Sequence, residues 1–265
     1  MSDVADWWTT KIIRMEPGHI EFRGQPIEEL IKSHTFTQMI WLMVMGGTPS
    51  AAQTRLLDAA LVASVDHGPQ APSIAASRMA ITCGIGINNA IASGVNMLGD
   101  VHGGAGEQSL ELYQEILGRR SDRTLDEAIN QSLDELAAKG IQFVPGFGHR
   151  FHKPEDPRAQ PLMEILRGCS QDDPSIDSRF ADVAEGIQDA IERRKGKRIA
   201  MNIDGATAAI YGALGVPATL ARGLFCLSRS VGLTAHAYEQ SLANERNKGP
   251  TPPSYLWTYN SESKD

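Results

Sequence analysis

Cysteine is scarce in this chain of 265 residues: Cys83, Cys169 and Cys226 are an odd number, lie far apart and form no C-x-x-C pair. That excludes a disulfide framework and a cysteine zinc site, and points to a reducing, cytoplasmic compartment. Leader features are lacking as well. Met1-Ser2-Asp3-Val4-Ala5-Asp6 carries acids where a secretory or transit leader carries bases, and no apolar segment follows. Internal repeats and low-complexity tracts are absent. So is any excess of positive charge: 25 Lys and Arg against 32 Asp and Glu leave a net charge of -7. This argues against a nucleic-acid coat, so an anionic ligand must be held by a local basic pocket. No G-x-S-x-G elbow accompanies the His102-Gly103-Gly104 string, which removes acyl hydrolysis by an esterase-type serine. Charge is also missing from Met79 to Gly99, a stretch long enough to span a bilayer. Asn88, Asn89, Ser93 and Asn96, with Gly84, Gly86, Gly94 and Gly99, make insertion costly. The segment reads instead as a buried helix, close-packed through its small residues, of the kind found at a subunit interface.

What is present is the composition of a globular protein, 42% hydrophobic and 22% charged, in a chain long enough for a substantial core. One strand pair is legible, Lys11 to Met15 and His19 to Arg23 around a Glu16-Pro17-Gly18 turn. Helical patterns dominate the rest. One begins at Phe36 and stops at Gly46-Gly47, and the next starts with Thr48 as cap and Pro49 in its first turn. Others follow near Gln108 to Leu117, after the capping box Thr124-Leu125-Asp126-Glu127, near Ser178 to Arg193, Ala206 to Leu214 and Thr219 to Ala243. The fold class is mainly α, with a small N-terminal β-hairpin.

Four connections rich in Gly and Pro stand out: His67 to Pro72, Gly99 to Gly106, Val144 to Pro157 and Met201 to Gly205. Loops on a rigid helical scaffold are where chemistry collects. Val101 to Glu107 sets His102 among glycines just before a helix, so that backbone and helix amides can approach a polarised oxygen. The stretch Val144 to Arg158 delivers His149 on a rigid turn. There Arg158 offers a bidentate fork for a carboxylate and Lys153 a point charge for a phosphate. His149 and His152 with Glu155 or Asp156 do not share a face across the intervening proline, so no metal site is expected. The run Lys195-Gly196-Lys197-Arg198 leads into Asn202-Ile203-Asp204-Gly205. An acid in that apolar, glycine-rich setting suits a general base.

Taken in order, VHGGAGE, PGFGHRFHKPEDPRA, NIDG and the late LFCLSRSVGLTAHAYEQ, with FRGQPIEEL and DHGP earlier, resemble the citrate synthase superfamily. The wording of NIDG followed by Ala206 is most similar to the citryl-CoA lyase branch, including the lyase module of ATP-citrate lyase. The resemblance implies a large domain of residues 1–103 and 219–265 and a smaller inserted helical domain of residues 104–218. It implies a homodimer or higher homo-oligomer that acts on a CoA thioester as substrate, needs no cofactor, and binds neither nucleic acid nor membrane. By resemblance Asp204 is the base at the thioester methyl, and His102 stabilises the enol(ate) oxygen. His149 handles the proton of the oxaloacetate carbonyl or the citryl hydroxyl. Arg158 and Arg229 match carboxylate-binding arginines, and His67 matches a histidine that contacts the keto acid. Val144, Gly146, Phe147 and Gly148 match the turn that cradles the CoA adenine, with Lys153 and Lys197 for its phosphates. The family's further arginine, just before a proline and supplied by the partner subunit, is replaced here by Gly249-Pro250. Either Arg246, favoured for its planar fork, or Lys248 substitutes for it, or the pocket binds one carboxylate fewer and the acid differs from oxaloacetate or citrate. The implied activity is cleavage of citryl-CoA to acetyl-CoA and oxaloacetate. The alternatives are condensation of an acyl-CoA with a 2-oxo acid, and a non-catalytic regulatory homologue.

Overall fold

The structure, a computed structural model, describes residue 4 and residues 7–260. It is 59% helical, with eleven helices and one small antiparallel sheet among the described residues. The sheet has the order β1-β2-β3, from β1 (Ile13–Glu16), β2 (His19–Phe22) and β3 (Gln25–Pro26). Ile13 pairs with Phe22 and Glu16 with His19, so the expected hairpin forms around Pro17-Gly18. The third strand escaped the sequence reading, since two residues carry no periodicity. It follows a turn in which Arg23 adopts φ 51° and Gly24 φ 80°. Arg23 tolerates the left-handed conformation because its guanidinium donates to the Met43 carbonyl at 2.7 Å and its amide to that of Ile12.

The helices are α1 (Ile27–Ser33), α2 (Phe36–Met45), α3 (Ala51–Ser64), α4 (Pro72–Thr82), α5 (Ile87–Asn96), α6 (Ala105–Gly118), α7 (Leu125–Ala138), α8 (Ala159–Asp172), α9 (Arg179–Lys195), α10 (Ile203–Ala213) and α11 (Ala218–Leu242). Thr124 opens α7 through the reciprocal capping box with Glu127 that the sequence announces. The start of α3 differs from expectation. Ser50, not Thr48, makes the box: its hydroxyl accepts from the Gln53 amide at 3.0 Å and the Gln53 side chain accepts from the Ser50 amide at 2.9 Å.

The chain divides into two compact units, one of Met1–Ala60 and Gly106–Ala221, the other of Leu61–Ala105 and Arg222–Asp265. In the first, α10 is apolar around its circumference and buried from Gly205 to Ala213, as a helix enclosed by others must be. Fully buried Ile210 alone contributes about 2 kcal/mol. Phe180 of α9 packs onto Gly212, where a Cβ would stand 2.2 Å from the ring. In the second unit the uncharged stretch is two helices rather than one. It breaks at Cys83 to Gly86, with Gly84 at φ 87°, and much of it is exposed, including Met79, Ile85, Ile87 and Met97. Only one side is buried: Gly94 lets α5 approach to where a Cβ would lie 2.4 Å from Leu233 and 2.9 Å from the Ser73 carbonyl. Among the described residues no helix is long and apolar enough to cross a membrane.

Candidate active site

Asp204 stands in the first turn of α10, whose terminal amides need acceptors. Asn202 is the cap: its Oδ1 accepts from the amides of Asp204 (2.9 Å) and Gly205 (3.2 Å), while its Nδ2 donates to the Gly148 carbonyl at 2.7 Å. The remaining amide, that of Ile203, donates to Asp156 Oδ2 at 3.1 Å. Capping of α10 is therefore done by neighbours and not by the Asp204 carboxylate. A Cβ built on Gly106 would lie 3.9 Å from Asp204 Oδ1, so a residue without a side chain borders the carboxylate. Two phenols sit near it. Burial, and then the Asp204 charge, push Tyr113 and Tyr211 well above the ordinary tyrosine pKa, so both stay neutral. Tyr113 donates to the Gly205 carbonyl at 3.3 Å and steadies the same turn.

The Val144 to Gly148 turn is zipped onto this helix start. Asn202 N donates to the Gly146 carbonyl at 2.9 Å and Gly148 N to that of Ala200 at 2.8 Å. Gly146, at φ 84°, approaches so closely that a Cβ would fall 2.7 Å from the Gly205 Cα. Phe147 is buried, so what this turn can offer a ligand is its backbone rather than that ring. His149 follows at once. Its Nδ1 accepts from the amides of Phe151 and His152, both at 3.0 Å, which places the ring proton on Nε2. Burial, then the neighbouring His152, lowers its pKa and keeps it neutral. Lys153 and Lys197 are exposed, and Arg198 is joined to Glu155 at 2.7 Å.

Arg158 does not present an open fork. Its Nε and Nη2 donate to Asp156 at 2.9 and 2.8 Å, and its amide donates to the same carboxylate at 3.1 Å. Asp156, which sequence reasoning weighed only as a metal ligand, is buried and braces both Arg158 and the α10 start. Burial alone would raise its pKa; Arg158 and the Ile203 amide outweigh that and bring it down to about 2. Because folding depresses this pKa from 3.8, the stabilisation is complete above that value and is withdrawn as pH falls through about 2. It amounts to roughly 2 kcal/mol. Asp156→Asn is expected to be less stable than wild type by that order at pH 7, with the gap closing toward pH 2 in acid-unfolding curves.

The second unit carries the other candidates. His102 Nε2 accepts from the Ser73 amide at 3.2 Å, at the N-terminus of α4, and lies 3.0 Å from the Ser73 hydroxyl. The ring proton is therefore on Nδ1. Burial, then the charge of Arg229, lowers the His102 pKa, so this imidazole is a neutral donor. Its loop is closed by Gly99 N donating to the His102 carbonyl at 2.8 Å. Gly103 lies where a Cβ would meet Phe225 at 3.1 Å, and the Arg229 guanidinium sits over that same ring, 4.8 Å from its centroid. Arg229 is 5% exposed, and its Nε donates to the Ser64 carbonyl. His67 lies half-buried three residues beyond Ser64. His102, Arg229 and His67 are thus gathered in one unit, and His149, Asp204 and Arg158 in the other. Arg246 is exposed. Its neighbours Asn247 and Lys248 are bound by Thr82, at the far end of α4 from Ser73, about 14 Å along the helix axis. Lys248 is paired with Glu245 at 2.7 Å. No cluster of three or more His, Cys, Asp or Glu side chains among the described residues can hold a metal ion.

Asn202 was detectable as a cap ahead of an apolar run. Ser73 and Phe225 were not, being 29 and 123 residues from His102 in the chain.

Residues 43–251 match the family model described as citrate synthase, C-terminal domain. A citrate synthase of Heyndrickxia coagulans is 30% identical over 226 residues, 84% of this chain and 56% of that protein. One of Haloferax volcanii is 29% identical over 219 residues, 82% of this chain and 55% of that protein. The chain thus spans about half the length of the curated relatives it matches. Among solved structures it is similar to the citryl-CoA lyase from Hydrogenobacter thermophilus, with TM-score 0.84, 31% identity, and coverage of 96% of this chain and 95% of that one. ATP citrate lyase from Methanosaeta concilii, at 18% identity and TM-score 0.80, covers 97% of this chain and is covered over 42% of its own; that likeness is one of fold.

Proposed function

This chain belongs to the citrate synthase family, and we propose that within it the chain acts as a citryl-CoA lyase, splitting citryl-CoA into acetyl-CoA and oxaloacetate. The observation that carries the reading is its likeness to a solved citryl-CoA lyase, at TM-score 0.84 and 31% identity over nearly the full length of both chains; a citrate synthase covered to the same extent reaches only 0.61 and 18%. The site chemistry is compatible with it. Collapse of the tertiary alkoxide breaks the carbon-carbon bond and forms the oxaloacetate carbonyl. In the condensation direction His149 gives its Nε2 proton to the oxaloacetate carbonyl oxygen as the bond forms; in cleavage the same nitrogen, deprotonated, takes the proton of the citryl hydroxyl. The departing enol(ate) of acetyl-CoA needs a donor that does not protonate it outright, which a neutral His102 Nδ1–H supplies. Asp204 then returns a proton to carbon, and in the condensation direction removes it. Arg229, held by Ser64 and Phe225, is assigned to a substrate carboxylate.

The backbone of Val144 to Gly148 is assigned to the CoA adenine, and Lys153 and Lys197 to its phosphates. The division into a large domain (residues 1–103 and 219–265) and a small one (104–218) belongs to the same proposal, as does a second copy of the chain covering the exposed Met79, Ile85, Ile87 and Met97.

The second reading, condensation followed by thioester hydrolysis, is favoured by the names of the curated relatives. Incubation of the pure protein with citryl-CoA, and separately with acetyl-CoA plus oxaloacetate, separates them. The lyase consumes citryl-CoA to acetyl-CoA and oxaloacetate without releasing free CoA. Free CoA and citrate from the second mixture would establish the synthase and end the lyase proposal.

A further inference from the structure

The loop that carries His67 is held by one face of α11. Ser228 donates its hydroxyl to the Leu61 carbonyl, Arg229 its Nε to that of Ser64, and Gly232 its amide to that of Val65 at 3.1 Å. Gly232 is required there, because a Cβ would stand 2.2 Å from the Val65 carbonyl oxygen. One turn further along α11, His236 Nε2 lies 3.2 Å from Asp66 Oδ1. The other oxygen of Asp66 accepts from the Gly68 amide at 3.0 Å, closing the turn that contains His67, with Gly68 at φ 77°. On the opposite side of the imidazole, Arg78 Nη1 is 2.9 Å from His236 Nδ1. A guanidinium can only donate, so Nδ1 accepts and the ring proton is confined to Nε2, facing the carboxylate. Arg78 is itself oriented by Gln240 at 3.1 Å and by Glu239.

We propose that His236 is a positioning residue: with its proton placed by Arg78, it fixes Asp66 and thereby the backbone turn that presents His67 to the acid portion of the substrate. The proposal rests on the assignment of His67 to that acid; the holding of the turn does not depend on it.

Two measurements test it in the intact protein. The first needs no substrate. Amide hydrogen exchange at Gly68 is expected to be about tenfold faster in His236→Ala than in wild type, and to return toward the wild-type rate in His236→Gln, whose amide can still donate to Asp66. The second is kinetic. In the condensation direction the KM for oxaloacetate is expected to rise about tenfold in His236→Ala while that for acetyl-CoA holds, a split that general loosening of the fold does not produce. Should His236→Ala not fold, Arg78→Met serves in its place. It keeps the imidazole but frees its tautomer, which imidazole 15N shifts report directly. Unchanged exchange at Gly68, failure of glutamine to restore it, or a parallel rise of both KM values would overturn the proposal. If wild type processes neither substrate pair, the lyase reading fails, and the exchange experiment still decides whether His236 holds the turn.

Discussion

Asp204→Asn is expected to lower turnover on the order of 10³-fold, in either direction, while calorimetric binding of CoA stays close to wild type. The carboxamide has nearly the same shape but neither takes a proton from carbon nor returns one, and a positioned acid or base contributes about 10² to 10⁴. The structure makes the substitution informative, because the amides of the α10 start are capped by Asn202 and Asp156. Losing the Asp204 charge should therefore leave the fold standing. Near-wild-type turnover in a folded variant would remove Asp204 from the chemistry.

Gly205→Ala is expected to have a large structural effect at the α10 start. The new Cβ would lie 2.5 Å from the Gly146 carbonyl oxygen and 2.8 Å from Met201 Cγ. The nearer obstacle is backbone, so no rotamer change relieves it. Either the Val144 to Gly148 turn moves off α10, breaking the bonds from Asn202 to Gly146 and Gly148, or the first turn of α10 unwinds. The cost is about 2–4 kcal/mol, combining overpacking with lost buried hydrogen bonds, which corresponds to a fall in Tm of roughly 5–15 °C for a chain of this size. Activity should fall as well, because His149 directly follows the displaced turn. Gly168→Ala is the control: nothing lies within 4 Å of its Cβ position in α8, so it should leave Tm unchanged or raise it slightly. An alanine at 205 without thermal cost would mean that the turn and α10 are not in contact.

Where local chemistry decides, the sequence was readable. Thr124 with Glu127, the Gly46-Gly47 stop of α2 and the Pro17-Gly18 hairpin act through atoms a few residues apart, and each appears where its motif stands. Helix α8 was missed because Pro161 and Gly168 interrupt its pattern, yet proline in a first turn leaves only an amide that had no helical partner anyway. Helix α1, seven residues long, is too short to show a period. The split of Met79 to Gly99 was missed because absence of charge was read as burial, whereas a turn at Gly84 exposes half of the segment.

By itself the sequence determined the helical class and the family, and it singled out the side chains proposed as reactive. His102, His149 and Asp204 each ride on a Gly- or Asn-bearing turn whose form is locally encoded. Tertiary structure alone decided what those side chains can do. Ser73, 29 residues from His102, sets its tautomer, and burial, then Arg229 far along the chain, lowers its pKa. Asp156 engages the fork of Arg158 that the sequence reserved for substrate, and Thr82 anchors the two residues that follow Arg246. A residue type states which charges and protons are available. Which of them is spent on a neighbour depends on contacts between distant segments, 165 residues apart for Arg229 and Ser64, and those exist only once the helices have packed.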